Sequence, residues 1–261
     1  VLGWIKNDLT SLGDTHLGLD LKDISKIERV SKEVLKNIDI KMVEDLAGEI
    51  QMCPNEETNA LGVPHIKEYP FEKAQKIDKK LAIVNDENFS FLYHDNVQFL
   101  KEIFREVCFV SSTKNESIDA DVVYIPGGYV ETKESYERVK ESYNFRDSLI
   151  THAKTKPIYA ECAGMLYLGN SVDEKKMSGI LDLDFTLHKR FQRMGYYYNS
   201  KNIRGHAFHY TNIVDEKEGV DKLSKIESGD GKIGSWQKER VFGTYLHTMF
   251  RNNIGIIYEL F

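Results

Sequence analysis

A chain of 261 residues, 41% hydrophobic and 29% charged, can bury a sizeable core and suits one large α/β domain or a domain with an appendage. A formal net charge of −6, with no long basic block, leaves no electrostatic footprint for nucleic acid, so a small-molecule partner is expected. No apolar run approaches the roughly 20 residues of a spanning helix, so no membrane partner is expected either.

Three widely spaced cysteines, Cys53, Cys108 and Cys162, imply no disulfide framework, and a reducing cytoplasm is the expected compartment. The chain opens at Val1 with Val-Leu-Gly-Trp-Ile-Lys, which reads as a strand already in progress and as part of a longer protein. From Ile24, the residues Ile27, Val30, Val34, Leu35 and Ile38 recur at helical spacing between charges and predict an amphipathic helix. Residues 51–79 are polar and carry Pro54, Pro64 and Pro70, the composition of a linker. The expected organisation is thus 1–50 as the tail of one domain, 51–79 as linker and 80–261 as a second domain.

After Lys80 the apolar pattern changes. Leu81–Val84, Val107–Val110, Val122–Ile125 and Pro157–Ala160 are short runs without alternation, separated by helical stretches at Asn96–Arg105 and Tyr136–Lys154. Such runs predict parallel strands covered on both faces, with sites at the strands' C-terminal ends. The polar stretch Val214–Lys238 predicts a hairpin or loop, and Phe242–His247 a strand with an imidazole at its end.

Several segments carry candidate chemistry. Glu161-Cys162-Ala163-Gly164 follows a strand and opens a helix, flanked by small residues, which suits a nucleophile elbow whose helix-terminal amides favour a thiolate. The alternative is a buried core thiol. Gly127-Gly128 ends the preceding strand and offers backbone amides that, with that of Ala163, suit an oxyanion; a plain glycine turn is the other reading. His247 is the candidate base, or else a structural histidine. His206 and His209 form a His-x-x-His pair with no third ligand at suitable spacing, so no metal is expected. Asp86, Ser90, Tyr93 and Asn96 suit either a polycarboxylate substrate or the start of the following helix, with Asn96 as its cap.

Together, Ala160–Leu168, Gly127-Gly128-Tyr129 with Glu131, Gly205–Tyr210, Met194-Gly195-Tyr196 and Tyr245-Leu246-His247 resemble the cobyrinic acid a,c-diamide synthases, glutamine amidotransferases of cobalamin biosynthesis. His16-Leu17-Gly18-Leu19 resembles the end of that family's ATP-binding domain, whose P-loop signature does not occur here. The resemblance implies a class I amidotransferase, flavodoxin-like, with a mostly parallel sheet flanked by helices and preceded by the remnant of a P-loop domain. It implies Cys162 and His247 as catalytic pair, Gly127, Gly128 and Ala163 around glutamine and the oxyanion, and Asp86, Tyr93, Asn96, His206, His209 and Tyr210 along the cleft.

In the full-length enzyme it implies ATP and Mg²⁺, glutamine and a cobyrinate-like tetrapyrrole as reactants, no bound prosthetic group, and a homodimer as one assembly. Many class I enzymes carry a glutamate two residues after the histidine; Met249 stands there, so what orients His247 is left open. Alternatives from the same residues are a nickel-sirohydrochlorin a,c-diamide synthase, a cobyric acid synthase, a PfpI-like cysteine hydrolase, or a non-catalytic binding domain.

Overall fold

A computed structural model describes residue 3 and residues 24–49, 74–215, 217–229 and 231–260. The expected opening strand apart from Gly3, the His16–Leu19 motif and the linker up to residue 73 lie outside the described residues. The chain divides into two units, Val1–Pro70 and Phe71–Phe261. In the first, α1 (Ile24–Asn37) is the expected amphipathic helix, and a second helix, α2 (Ile40–Glu49), follows it. Asp39 starts α2 by accepting the Met42 amide on its carboxylate at 2.9 Å, a side-chain cap that satisfies an otherwise orphan donor.

The second unit begins with β1 (Ile77–Val84), α3 (His94–Ile103), β2 (Phe104–Val110) and β3 (Val122–Ile125). It continues through α4 (Lys133–Val139), α5 (Tyr143–Ala153), β4 (Ile158–Glu161) and α6 (Ala163–Leu168). The strands of this part are parallel, as their unalternated apolar runs required, and with a later strand they give the order β2-β1-β3-β4-β13. Both faces are covered: Leu81 and Ile83 pack with Phe99, Leu100 and Ile257, while Ala82 and Val84 belong to a second cluster with Phe145, Leu149 and Met165.

The stretch 136–154, expected as one helix, is two. Val139 and Phe145 both join the same core cluster, whereas on a continuous helix six residues at about 100° each would leave their directions about 120° apart. The break at residues 140–142 lets both face inward.

The remaining strands are β5 (Ser171–Val172), β6 (Lys175–Lys176), β7 (Asp184–Leu187), β8 (Arg193–Tyr198), β9 (Arg204–His209), β10 (Thr211–Ile213), β11 (Asp221–Lys225), β12 (Gly231–Lys238), β13 (Val241–Thr244) and β14 (His247–Thr248), before a 3₁₀ turn (Phe250–Asn253) and α7 (Ile254–Leu260). β11 and β12 form the hairpin expected within 214–238. A four-stranded sheet, β10-β7-β5-β6, stands apart from the main one.

The main sheet has ten strands, ordered β14-β9-β8-β11-β12-β13-β4-β3-β1-β2. The run Phe242–His247 is therefore not one strand. Thr244 ends β13 beside β4, and three residues later His247 pairs with His206 on β9, four strands away in the order. Three residues reach at most about 11 Å. The antiparallel part must curl until its edge returns to β13, and this curl delivers the imidazole to the end of β4.

Candidate active site

Cys162 sits between β4 and α6 with φ +46° and ψ −108°, a conformation that non-glycine residues rarely adopt and that persists only when the surroundings impose it. They do so here: the Thr244 carbonyl accepts the Cys162 amide at 2.7 Å, and the Cys162 carbonyl accepts that of Leu166 at 2.9 Å. Gly164 is required by close approach, because a Cβ there would lie 2.4 Å from the Ile125 carbonyl oxygen. The elbow turns tightly over the end of β3, and the thiol is 8% exposed. Ala163 opens α6, so its amide has no intrahelical acceptor.

His247 faces this elbow from β14. Its ring lies so close to the end of β3 that a Cβ on Gly127 would come within 2.3 Å of Cε1. Phe91 packs edge-on at 4.6 Å between ring centroids and His206 stacks at 6.3 Å. The imidazole is buried beside the Cys162 thiol and the Glu161 carboxyl group. Burial alone would lower its pKa, but hydrogen bonding with the Cys162 thiol and the Glu161 carboxylate outweighs this and raises it from 6.5 to about 9.

Glu161, to which the sequence pattern gave no role, also lies at this site. It immediately precedes Cys162, is 1% exposed, and places one carboxylate oxygen 3.3 Å from His247 Nδ1. The same oxygen accepts from the Tyr124 hydroxyl at 3.1 Å; the other accepts from the Tyr159 hydroxyl at 2.9 Å and the Thr248 amide at 3.3 Å. With Met249 in the usual position of the acid, His247 takes its carboxylate partner from β4. A signal was present: a glutamate inside an otherwise apolar parallel strand, Ile-Tyr-Ala-Glu, must find partners or lose its charge.

The glycines of the β3 loop are close to the elbow. Gly128 has φ +151°, and a Cβ there would meet the Asn88 carbonyl at 2.0 Å. Its amide donates to no backbone carbonyl among the described residues. Tyr129 is near enough to Cys162 and Tyr210 for both to raise its hydroxyl pKa, after the larger effect of burial. Tyr93 is half-buried against Phe91, and burial followed by the Glu161 charge raises its pKa. His206 carries a buried Nδ1 with no hydrogen-bond partner, and burial, then the neighbouring His247, lowers its pKa.

Three cleft candidates take other places. Asp86 offers no free carboxylate: Oδ1 accepts the Asn88 and Phe89 amides, and Oδ2 accepts the Ser112 amide and hydroxyl and the Thr113 amide, tying the ends of β1 and β2 together. Asn96 is not the cap of α3, whose N-cap is Tyr93. It is fully buried, donates to the Thr248 carbonyl at 2.7 Å and accepts the Phe250 amide at 2.8 Å, bracing the strand of His247 from behind. His209 is interior, stacked on Tyr245 at 3.6 Å, with Nδ1 2.8 Å from the Thr211 carbonyl and Nε2 3.3 Å from Arg193. Burial, followed by the Arg193 charge, pushes its pKa well down. His206 and His209 lie three positions apart on β9, so strand alternation puts them on opposite faces. Among the described residues no three His, Cys, Asp or Glu side chains converge where a metal ion would be held.

The chain is 30% identical to a cobyrinate a,c-diamide synthase of Fusobacterium nucleatum over 100% of its own length and 62% of the relative's. To the synthase of that name from Methanocaldococcus jannaschii it is 30% identical over 95% of this chain and 57% of that one. It thus spans about six-tenths of the length of the curated relatives it matches. Among solved structures, PurLQS from Thermotoga maritima aligns with a TM-score of 0.46 and 16% identity, covering 66% of this chain and 88% of that one. A glutamine amidotransferase from Thermotoga maritima gives 0.45 and 14%, covering 69% and 83%. Residues 80–254 match the model of the CobB/CobQ-like glutamine amidotransferase domain, and the chain belongs to that family.

Proposed function

We propose that residues 80–261 release ammonia from the side-chain amide of glutamine, with Cys162 as nucleophile and His247 as its proton shuttle. The observation that carries this reading is the strained elbow at Cys162 beside an imidazole whose proton affinity is raised. The pair resting as thiolate and imidazolium is the form in which a cysteine attacks.

The thiolate adds to the amide carbonyl, forming a C–S bond and an oxyanion for which the amides of Gly128 and Ala163 are the candidate donors. His247 gives its proton to the amide nitrogen; the C–N bond breaks, ammonia leaves, and a thioester to Cys162 remains. Water then adds to the thioester as His247 takes its proton. The C–S bond breaks, glutamate departs and the thiolate–imidazolium pair is restored. Tyr93, Tyr129, His206 and Tyr210 are the residues around this cleft that we assign to substrate contact.

The acceptor of the ammonia follows from the relatives' names: in the whole protein, the a and c acetate carboxylates of a cobyrinate-type tetrapyrrole. That amidation needs carboxylate activation, which ATP and Mg²⁺ supply in an enzyme of this kind. The residues described here do not fit that pair: the sequence has no Gly-x-x-x-x-Gly-Lys-[Ser/Thr] and the described side chains form no metal cluster. We accordingly assign no step of the glutamine half to either, and read residues 1–50 as the tail of a synthetase domain. No helix of the described residues is long and apolar enough to cross a membrane.

The test is covalent. An electrophilic glutamine analogue should add one adduct mass to the chain, mapped to Cys162, and glutamine should yield glutamate. Cys162→Ala should abolish both. An adduct spread over Cys108 and Cys53, with glutamate release unchanged in Cys162→Ala, defeats the reading.

A further inference from the structure

We infer that Glu161 is the positioning acid of this site, a triad member carried on the nucleophile's own strand rather than after the histidine. The inference rests on the reading of Cys162 and His247 given above. Its support is geometric. A carboxylate that is 1% exposed is costly to bury unless its oxygens are satisfied, and the four groups that satisfy this one are the Tyr124 and Tyr159 hydroxyls, the Thr248 amide and His247 Nδ1.

Three of these are donors supplied by β3, β4 and β14, and they leave the oxygen nearest His247 as an acceptor. An acceptor at Nδ1 requires a proton there. The imidazole is thereby held in the tautomer whose Nε2 is free to face the thiol, and its charged form is favoured. Because Glu161 and Cys162 are adjacent, the acid and the nucleophile are set by one strand end. Only the imidazole comes from elsewhere, and Thr248, its neighbour on β14, is pinned to the same carboxylate. The other titratable groups facing His247 are His206 on β9 and Cys162 itself, with Tyr93 near the carboxylate.

Glu161→Gln is the discriminating change. One oxygen becomes an NH₂ that cannot accept. The Thr248 amide can only donate, so the oxygen is retained toward Thr248 and Tyr159, and the NH₂ turns toward Tyr124 and His247. Nδ1 must then accept, the proton moves to Nε2, and the imidazole can no longer take the thiol's proton.

The experiment uses the 261-residue chain and measures the rate of Cys162 alkylation by chloroacetamide against pH, together with glutamate release and thermal unfolding. The parent should alkylate well below the pH at which a free thiol ionises. Glu161→Gln should shift that onset upward toward a free thiol and lower glutamate release by about 10⁴-fold, the scale seen when a triad acid is replaced by its amide. Tyr159→Phe, which keeps the carboxylate as the acceptor at Nδ1, should leave the onset close to that of the parent.

A downfield imidazole N–H proton in the NMR spectrum, absent from His247→Ala, should disappear in Glu161→Gln; this guards against a variant that has simply lost its fold. A parent and a folded Glu161→Gln with the same pH profile overturn the inference while leaving the Cys162 reading intact. A parent whose Cys162 is no more reactive than Cys108 removes that reading, and this inference with it.

Discussion

The two halves of the ten-stranded sheet are built differently. In the parallel half every residue of Leu81–Val84 and Val122–Val123 is shielded completely, because helices cover both faces. In the antiparallel half one face stays wet: on β8, Arg193 and Tyr197 are buried while Met194 and Tyr196 are 54% and 69% exposed. The fully covered half supplies the proposed nucleophile, whose strained backbone needs rigid surroundings, and its acidic neighbour. The half-covered sheet curls and returns the His247 imidazole, the proposed base, on β14. A site assembled this way has one fixed wall and one delivered wall, and the two should respond differently to substitution.

His247→Ala removes the delivered group outright and should reduce glutamate release about 10²- to 10⁴-fold with little change in fold, checked by steady-state kinetics and circular dichroism. Gly127→Ala probes the contact between the walls. Its new Cβ would lie 2.3 Å from His247 Cε1, so the ring must shift, and a displacement near 1 Å should reduce kcat/KM about 10²-fold.

Asn96→Ala attacks the bracing behind β14. It leaves the buried Thr248 carbonyl and Phe250 amide without partners and should destabilise the second unit by about 3 kcal/mol, read as a lowered denaturation midpoint. The pH dependence follows from the raised His247 pKa. A raised value favours the folded state fully below 6.5, and that contribution disappears as pH rises through about 9; stability and activity should therefore both decline on the alkaline side, and His247→Ala should flatten the stability profile there. The smallest effect should come from the fixed wall's surface. Glu134→Ala breaks an exposed pair with Arg138, which also bonds Asn88, and should change stability by less than about 0.5 kcal/mol.

The parallel half was legible because its signals are local. Val-Val-Tyr-Ile and Ile-Tyr-Ala-Glu are buried on both sides and read as apolar runs, and a cysteine between small residues at a strand-to-helix boundary has a recognisable chemistry. The helical break between Val139 and Phe145 was not legible, since nothing in Lys140-Glu141-Ser142 forbids a helix; the core demanded that both residues face inward. Asn96 likewise carries the composition of a cap, and its partners at Thr248 and Phe250 lie more than 150 residues away.

The amino-acid order alone was sufficient for the α/β class, the position of the elbow and the candidate thiol, because each depends on residues within a few positions of one another. The proposed partner of that thiol and the carboxylate behind it are set by distance in space. His247 reads as the end of one strand, yet it pairs with His206 across a sheet that curls back on itself, and Glu161 finds it there. Curl is a sum of twists over many strands, and no local pattern records where that sum brings an edge.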